Sequence, residues 1–112
     1  MKYSESLKKN KDFQYIYRKG KSYANKYLVM YVLENGTSQN RLGISVSKKV
    51  GNSVVRNRAR RLMKESYRQI FERLAVGYDI IFIARKTIVN LKCADVKKSI
   101  EAATRRSGIL KK

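Results

Sequence analysis

The sequence predicts an α+β domain whose helices pack on one small mixed sheet. Three observations carry that expectation. Segments of helical and strand-like pattern follow one another as helix, strands, helix, strand, helix, without the regular alternation of a βα repeat. Ile80 to Ala84 is apolar at every position, as a short strand covered on both faces would be. The segment 47–68 is apolar on one side and basic on the other, as a long helix lying on a sheet would be. With 112 residues, no proline and 43% hydrophobic residues, the chain has material for one modest core and no evident linker. It is read as a single domain over residues 1–112, with loose ends at 1–9 and 108–112.

Asn10 is placed to cap a short helix over residues 11–19, with Asp12 in the first turn and Gly20 at the end. Phe13, Ile16 and Tyr17 share one face of it. Residues 21–27 and 28–34 are rich in β-branched and aromatic side chains and read as extended. Asn35-Gly36 marks a turn, and a polar loop runs on to Asn40. Residues 41–47 alternate, with Leu42, Ile44 and Val46 inward and Gly43, Ser45 and Ser47 outward, which predicts a half-buried strand. Gly51, Asn52 and Ser53 make the turn and N-cap of the long helix. On a wheel started at Ala59, Val55, Leu62, Met63, Ser66, Ile70 and Leu74 fall within a wedge of roughly 100°. Gly77, Tyr78 and Asp79 then lead into the apolar strand. A last helix covers about residues 94–105, with Gly108 just beyond it.

The other side of the long helix carries Asn57, Arg58, Arg60, Arg61, Lys64 and Arg68, softened only by Glu65 and Glu72. Like charges at i,i+3 and i,i+4 repel, so a polyanion is the natural complement of that face. Lys48, Lys49, Arg56 and Arg58 crowd the helix start, where each cation opposes the macrodipole by about 0.3–1 kcal/mol. Inorganic anions or phosphates binding there resolve the conflict. The bias is global: 27 Lys+Arg against 8 Asp+Glu, a net charge of +19. Such a balance points to nucleic acid, an anionic membrane or an acidic partner. Membrane is the poorest fit, since no apolar run approaches the roughly 20 residues of a span. The first residues, MKYSESLKKNKDF, lack the apolar core and cleavage site of a secretory signal. The single Cys93 has no internal partner for a disulfide, which suits a reducing cytoplasm.

Catalytic constellations are missing. There is no histidine, and the acids Glu5, Asp12, Glu34, Glu65, Glu72, Asp79, Asp95 and Glu101 show no metal-binding or acid/base spacing. Gly43 and Gly51 form no nucleotide fingerprint. Any catalysis is therefore expected to use groups on a partner. Composition and pattern alone suit a ribosomal protein equally well. A DNA-binding nucleoid protein suits them less, because no base-reading cluster stands apart from the phosphate contacts.

The stretch VRNRARRLMKESYR, with Arg56-Asn57-Arg58 at its heart, closely resembles the signature helix of the bacterial ribonuclease P protein component family. DFQYIYRKGKS, RLGISVSKKVGNSVVRNR and YDIIFIARK match as well, in the family's order, over nearly the whole chain. The resemblance implies an αβββαβα domain, of a type shared with a ribosomal protein domain, with a left-handed βαβ crossover against the usual right-handed rule. It implies the small subunit of a ribonucleoprotein endonuclease that removes the 5′ leader of precursor tRNA, the RNA subunit and its Mg²⁺ performing hydrolysis. Arg56, Asn57, Arg58, Arg60, Arg61, Lys64 and Arg68 then match the helix that contacts the catalytic RNA, and Lys48 and Lys49 join them at its start. Phe13, Tyr17 and Tyr31 match the aromatic positions of a central cleft for the single-stranded leader. Stacking suits that task because every base has a π-face. Phe13 stays open between core and cleft, whereas a tyrosine carries a polar edge suited to a wet surface. Ser45 or Ser47 would line the same face.

Overall fold

The computed structural model describes residues 5–111. Its elements are β1 (Glu5–Ser6), α1 (Asn10–Lys19), β2 (Lys21–Ala24), β3 (Leu28–Glu34), β4 (Arg41–Ser45), α2 (Ser53–Ile70), β5 (Tyr78–Ala84) and α3 (Cys93–Ser107). Short 3₁₀ turns at Phe71–Arg73 and Lys86–Asn90 flank β5. This is the predicted α+β class, three helices on a small mixed sheet. The strand order is β1-β4-β5-β3-β2. The pairs β2–β3 and β3–β5 are antiparallel, β1–β4 and β4–β5 parallel, and α2 makes the connection from β4 to β5.

Alternation along the strands sorts the side chains into two layers. Leu28, Met30 and Val32 of β3, Leu42 of β4, and Ile80, Phe82 and Ala84 of β5 are buried with α2 and α3. Those helices contribute Ala59, Met63, Tyr67, Ile70, Val96, Ile100 and Ala103 to this main core. Each Val, Leu, Ile, Met or Phe among them stabilises the fold by about 1.5–3 kcal/mol. The opposite face of the sheet is covered by α1, whose Ile16 packs with Leu7 and Ile81. The central strand β5 is therefore enclosed on both sides, as its unbroken apolar run predicts.

Several local expectations are corrected. Asn10 is the first residue of α1, and Lys9 occupies the cap position with no side-chain capping bond. β2 stops at Ala24, because the Asn25 side chain accepts from the amides of Tyr27 and Leu28 and turns the chain. β4 ends at Ser45, and its second face is not solvated. A Cβ on Gly43 would lie 2.7 Å from the Phe13 ring and 3.2 Å from Leu7, so only glycine lets α1 approach this closely. Tyr67 escapes the wheel's apolar wedge yet is fully buried, its ring edge-on to Phe82 with centroids 6.0 Å apart. Of the ends expected to be loose, residues 1–4 and 112 lie outside the described residues. Glu5 and Ser6 pair with Arg41 and Leu42, Leu7 is buried, and Ile109 is buried beyond the left-handed Gly108 that closes α3.

Candidate nucleic-acid interface

The start of α2 is built as its sequence suggests. Asn52 caps it, its side-chain oxygen accepting from the Val55 amide at 3.0 Å, and no acid occupies the first turn. Ser66 donates back to the Leu62 carbonyl at 2.7 Å, which lets a hydroxyl lie within the buried face. Lys48 and Lys49 stand exposed on the turn that precedes the helix, and Arg61 and Lys64 stand exposed along it. Arg60 donates to the Asn57 side chain at 3.0 Å, a neutral partner that leaves its charge uncompensated. Arg56 is half-buried, and its Nε is enclosed without a hydrogen-bond partner. Arg60 and Lys64 also line a small recess with Ser6, Leu7, Leu42 and Ile44, where β1 and β4 meet the helix.

Two of the expected cations are already engaged. Arg58 donates from its two terminal nitrogens to the carbonyls of Val89 and Leu91, at 2.9 Å each, fastening α2 to the segment that enters α3. Arg68 pairs with Glu65, and that hydrogen bond, with a second from Gln69, holds the Glu65 carboxyl below the usual range. Asn57, Arg58 and Arg68 are exposed all the same, on a face that also carries Lys48, Lys49, Arg56, Arg60, Arg61 and Lys64. No pattern in the sequence marks Arg58 as a clasp, because its acceptors are backbone carbonyls.

On the other face of the sheet the three aromatic candidates do meet. Tyr17 and Tyr31 lie edge to face with centroids 5.0 Å apart, and Phe13 is 6.2 Å from Tyr17. All three are half-buried, over a floor that includes Leu33 and Ile83. Phe13 packs on the smaller core of Leu7, Ile16 and Ile81, with its ring against Gly43 and its centroid 6.2 Å from that of Tyr17. Burial pushes the Tyr17 phenol above its ordinary value, a hydrogen bond with Ser45 pulls it partly back, and Tyr31 adds a little upward. Ser45 therefore lies beside Tyr17, whereas Ser47 is exposed. From Ser45 the chain needs only three residues, at most roughly 10 Å, to reach Lys48. Cleft and basic turn are consecutive parts of one strand exit.

Among the described residues no three His, Cys, Asp or Glu side chains gather in a way that would hold a metal ion. Among the same residues no helix is long and apolar enough to cross a membrane. Cys93 is a free thiol at the start of α3, 3.8 Å from the Ser66 hydroxyl.

Comparisons with known proteins bear on the family and the fold. The family model for Ribonuclease P matches residues 1–108. The chain is 50% identical over 107 residues to the ribonuclease P protein component of Clostridioides difficile, covering 95% of this chain and 94% of the relative. It is 51% identical over 100 residues to that of Alkaliphilus oremlandii, covering 89% and 88%. Among solved structures, the RNase P protein of Staphylococcus aureus superposes with a TM-score of 0.87 at 37% identity, covering 96% of this chain and 98% of that one. The RNase P protein of Thermotoga maritima superposes with a TM-score of 0.83 at 31% identity, covering 91% and 96%. A match spanning nearly the whole sequence, with the same fold beneath it, places the chain in the ribonuclease P protein family.

Proposed function

We propose that this protein component of ribonuclease P binds the catalytic RNA through the basic side of α2 and the 5′ leader of precursor tRNA in the tyrosine cleft, assisting RNA-catalysed, Mg²⁺-dependent removal of the leader in the cytoplasm. The observation that carries this is the continuity of the Tyr17–Tyr31–Ser45 cleft with the Lys48–Lys49 turn and the start of α2. A single strand lying in the cleft meets rings for its bases and then cations for its phosphates. Each stacked base contributes about 1–3 kcal/mol without regard to sequence.

The chain's own groups act by binding and positioning. Tyr17, a neutral phenol at ordinary pH, offers a ring edge that adds no charge to repel the leader. Lys48, Lys49, Arg61 and Lys64 neutralise crowded phosphates, a task otherwise left to counterions. The described side chains do not converge on a metal site of their own. In this assignment the Mg²⁺ that serves hydrolysis is held by the RNA. Inorganic anions occupy the helix start when RNA is absent.

The deciding experiment is leader removal from a precursor tRNA by a matched ribonuclease P RNA at low Mg²⁺, with and without the protein. The expected result is no cleavage by the protein alone and a lowered Mg²⁺ requirement for the RNA. Cleavage by nuclease-treated, RNA-free protein overturns it, as does an RNA whose Mg²⁺ dependence the protein leaves unchanged.

A further inference from the structure

The turn between β2 and β3 is held by partners from two distant parts of the chain. The carbonyl of Ala24 accepts from Arg106 at 2.7 Å, that of Asn25 from Arg85 at 3.0 Å, and that of Lys26 from the Thr87 hydroxyl. The Asn25 side chain donates to the Ser99 carbonyl of α3 at 3.1 Å while accepting from two amides of its own turn. A surface turn fixed at every carbonyl is a rigid wall. Between it and α3 lies an open groove of about 550 Å³, lined among others by Lys26, Tyr27, Leu91, Asp95, Lys98 and Ala102. It lies on the α3 side of the sheet, away from the cleft under α1.

The lining has the chemistry of a nucleotide site. Tyr27 is half-buried, and the Lys26 ammonium stands 5.8 Å from its ring centroid. Lys98 faces the same space from α3, and Ala102 leaves room above the helix. An aromatic face flanked by amines combines stacking with phosphate neutralisation. Asp95 gives the site a sense of base identity. One of its oxygens accepts from the Lys92 amide at 3.2 Å, and a carboxylate has further acceptor capacity. It would accept from the exocyclic amine of a base such as cytosine and find no such donor on uracil.

We infer that this groove is a second single-strand RNA site, taking one nucleotide with its base on Tyr27 and its phosphodiester between Lys26 and Lys98, and favouring bases that carry an exocyclic amine. It rests on the assignment of the chain as an RNA-binding subunit, and it adds a contact beyond those of the basic side of α2 and the cleft.

Amide NMR titration of the full chain tests it, with tetracytidylate, tetrauridylate and inorganic phosphate as probes at matched ionic strength. Saturable shifts at Tyr27, Lys98 and Ala102 are expected with tetracytidylate, and about threefold weaker binding with tetrauridylate, the scale of one exposed hydrogen bond. The double variant Lys26→Glu with Lys98→Glu should weaken this response about tenfold or more, as reversing two phosphate-binding charges requires. Responses at Tyr17 and Tyr31 should remain. Asp95→Asn should erase the preference for cytidylate. Silence of the groove amides at millimolar oligonucleotide overturns the inference, and so does an equal response to phosphate alone, which marks an anion site only. If ribonuclease P RNA fails to bind the chain while the groove shifts persist, the subunit assignment falls and the groove stands. If that RNA binds and the groove stays silent, the groove alone falls.

Discussion

Arg41 and Asp79 face each other in register across the parallel strands β4 and β5 and close a two-pronged ion pair, Nε to Oδ1 at 2.7 Å and Nη2 to Oδ2 at 2.6 Å. The Asn35 side chain donates to the same carboxylate at 2.9 Å, so the loop from β3 to β4 is drawn onto the pair. The Asp79 side chain is 4% exposed and that of Arg41 35%, so the two partners have unequal access to water. Arg41→Met should destabilise the domain by about 1–3 kcal/mol, because among the described residues Asp79 would keep Asn35 as its side-chain partner in a buried setting. Adding Asp79→Leu should restore part of the loss, since an apolar pair often replaces a buried ion pair at little cost. Urea melts of the single and double variants decide it, and an additive double variant would show that no coupling exists.

Arg58 and Arg61 should separate stability from RNA binding. Arg58→Ala removes two hydrogen bonds to carbonyls at 89 and 91, which should cost about 1–2 kcal/mol and speed amide exchange around the start of α3. Arg61→Ala should leave stability within about 0.5 kcal/mol. It should flatten the log–log salt dependence of RNA binding by about 0.7–0.9 for each phosphate left without its cation. A salt slope lowered as much by Arg58→Ala as by Arg61→Ala would mean that Arg58 leaves its carbonyls to bind RNA.

In the cleft, Tyr17→Leu and Tyr31→Leu should leave affinity for the catalytic RNA intact and reduce discrimination between precursor and mature tRNA by about 1–3 kcal/mol for each base unstacked. Equal losses for both RNAs would contradict a separate leader site. The raised Tyr17 phenol adds a pH signature. The folded state holds this proton longer than the unfolded chain. Its contribution to stability is complete below the ordinary value of 10.0 and disappears as pH rises through the higher folded value. Alkaline melts of Tyr17→Phe should lack that component, and its phenolate absorbance should lose a late-titrating part of the wild-type curve.

Gly43→Ala should disturb the cleft from below. The added methyl would sit 2.7–2.8 Å from two atoms of the Phe13 ring, and overpacking of this kind costs about 1–3 kcal/mol. Phe13→Leu in the same chain should recover part of that cost. A Gly43→Ala protein with unchanged melting temperature would show that the ring moves freely and does not set the height of α1.

Anions should stabilise the fold beyond plain screening. Cations at the uncompensated start of α2 and a net charge of +19 make the native state a better anion receptor than the unfolded chain. A ligand at 100 times its Kd adds about 2.7 kcal/mol. Sulfate, phosphate or short oligonucleotides should raise the melting temperature well above chloride at equal ionic strength. Equal stabilisation by chloride would leave only screening.

The main elements were legible because their signals are local. β5 is apolar without a break, α2 carries a wheel with one apolar side, and Gly108 ends α3 in the left-handed conformation it alone adopts easily. The meeting of Phe13, Tyr17 and Tyr31 followed from family likeness, since nothing local relates a helix at 13–17 to a strand at 31. What the sequence concealed depends on distant backbone. The pairing of β1 needs the edge of β4, the clasp of Arg58 needs carbonyls at 89 and 91, and the burial of Tyr67 needs Phe82 beneath it. Asn10 misled for the opposite reason, a good cap residue standing one position too late to serve.

β3 and β4 follow one another in the chain but are not neighbours in the sheet. The space between them is filled by β5, which pairs with β3 from Leu28 to Glu34 and with β4 from Arg41 to Ser45. The middle of the sheet is thus the last strand to be made. A growing chain that has finished Glu34 must wait for Ala84, some fifty residues and roughly 2–10 s at ordinary synthesis rates, before its two halves can join. Throughout that interval a densely basic, unclosed polypeptide emerges beside ribosomal RNA. For this fold the two halves of the sheet stay apart until β5 is made, and the main core stays open until α3 follows it.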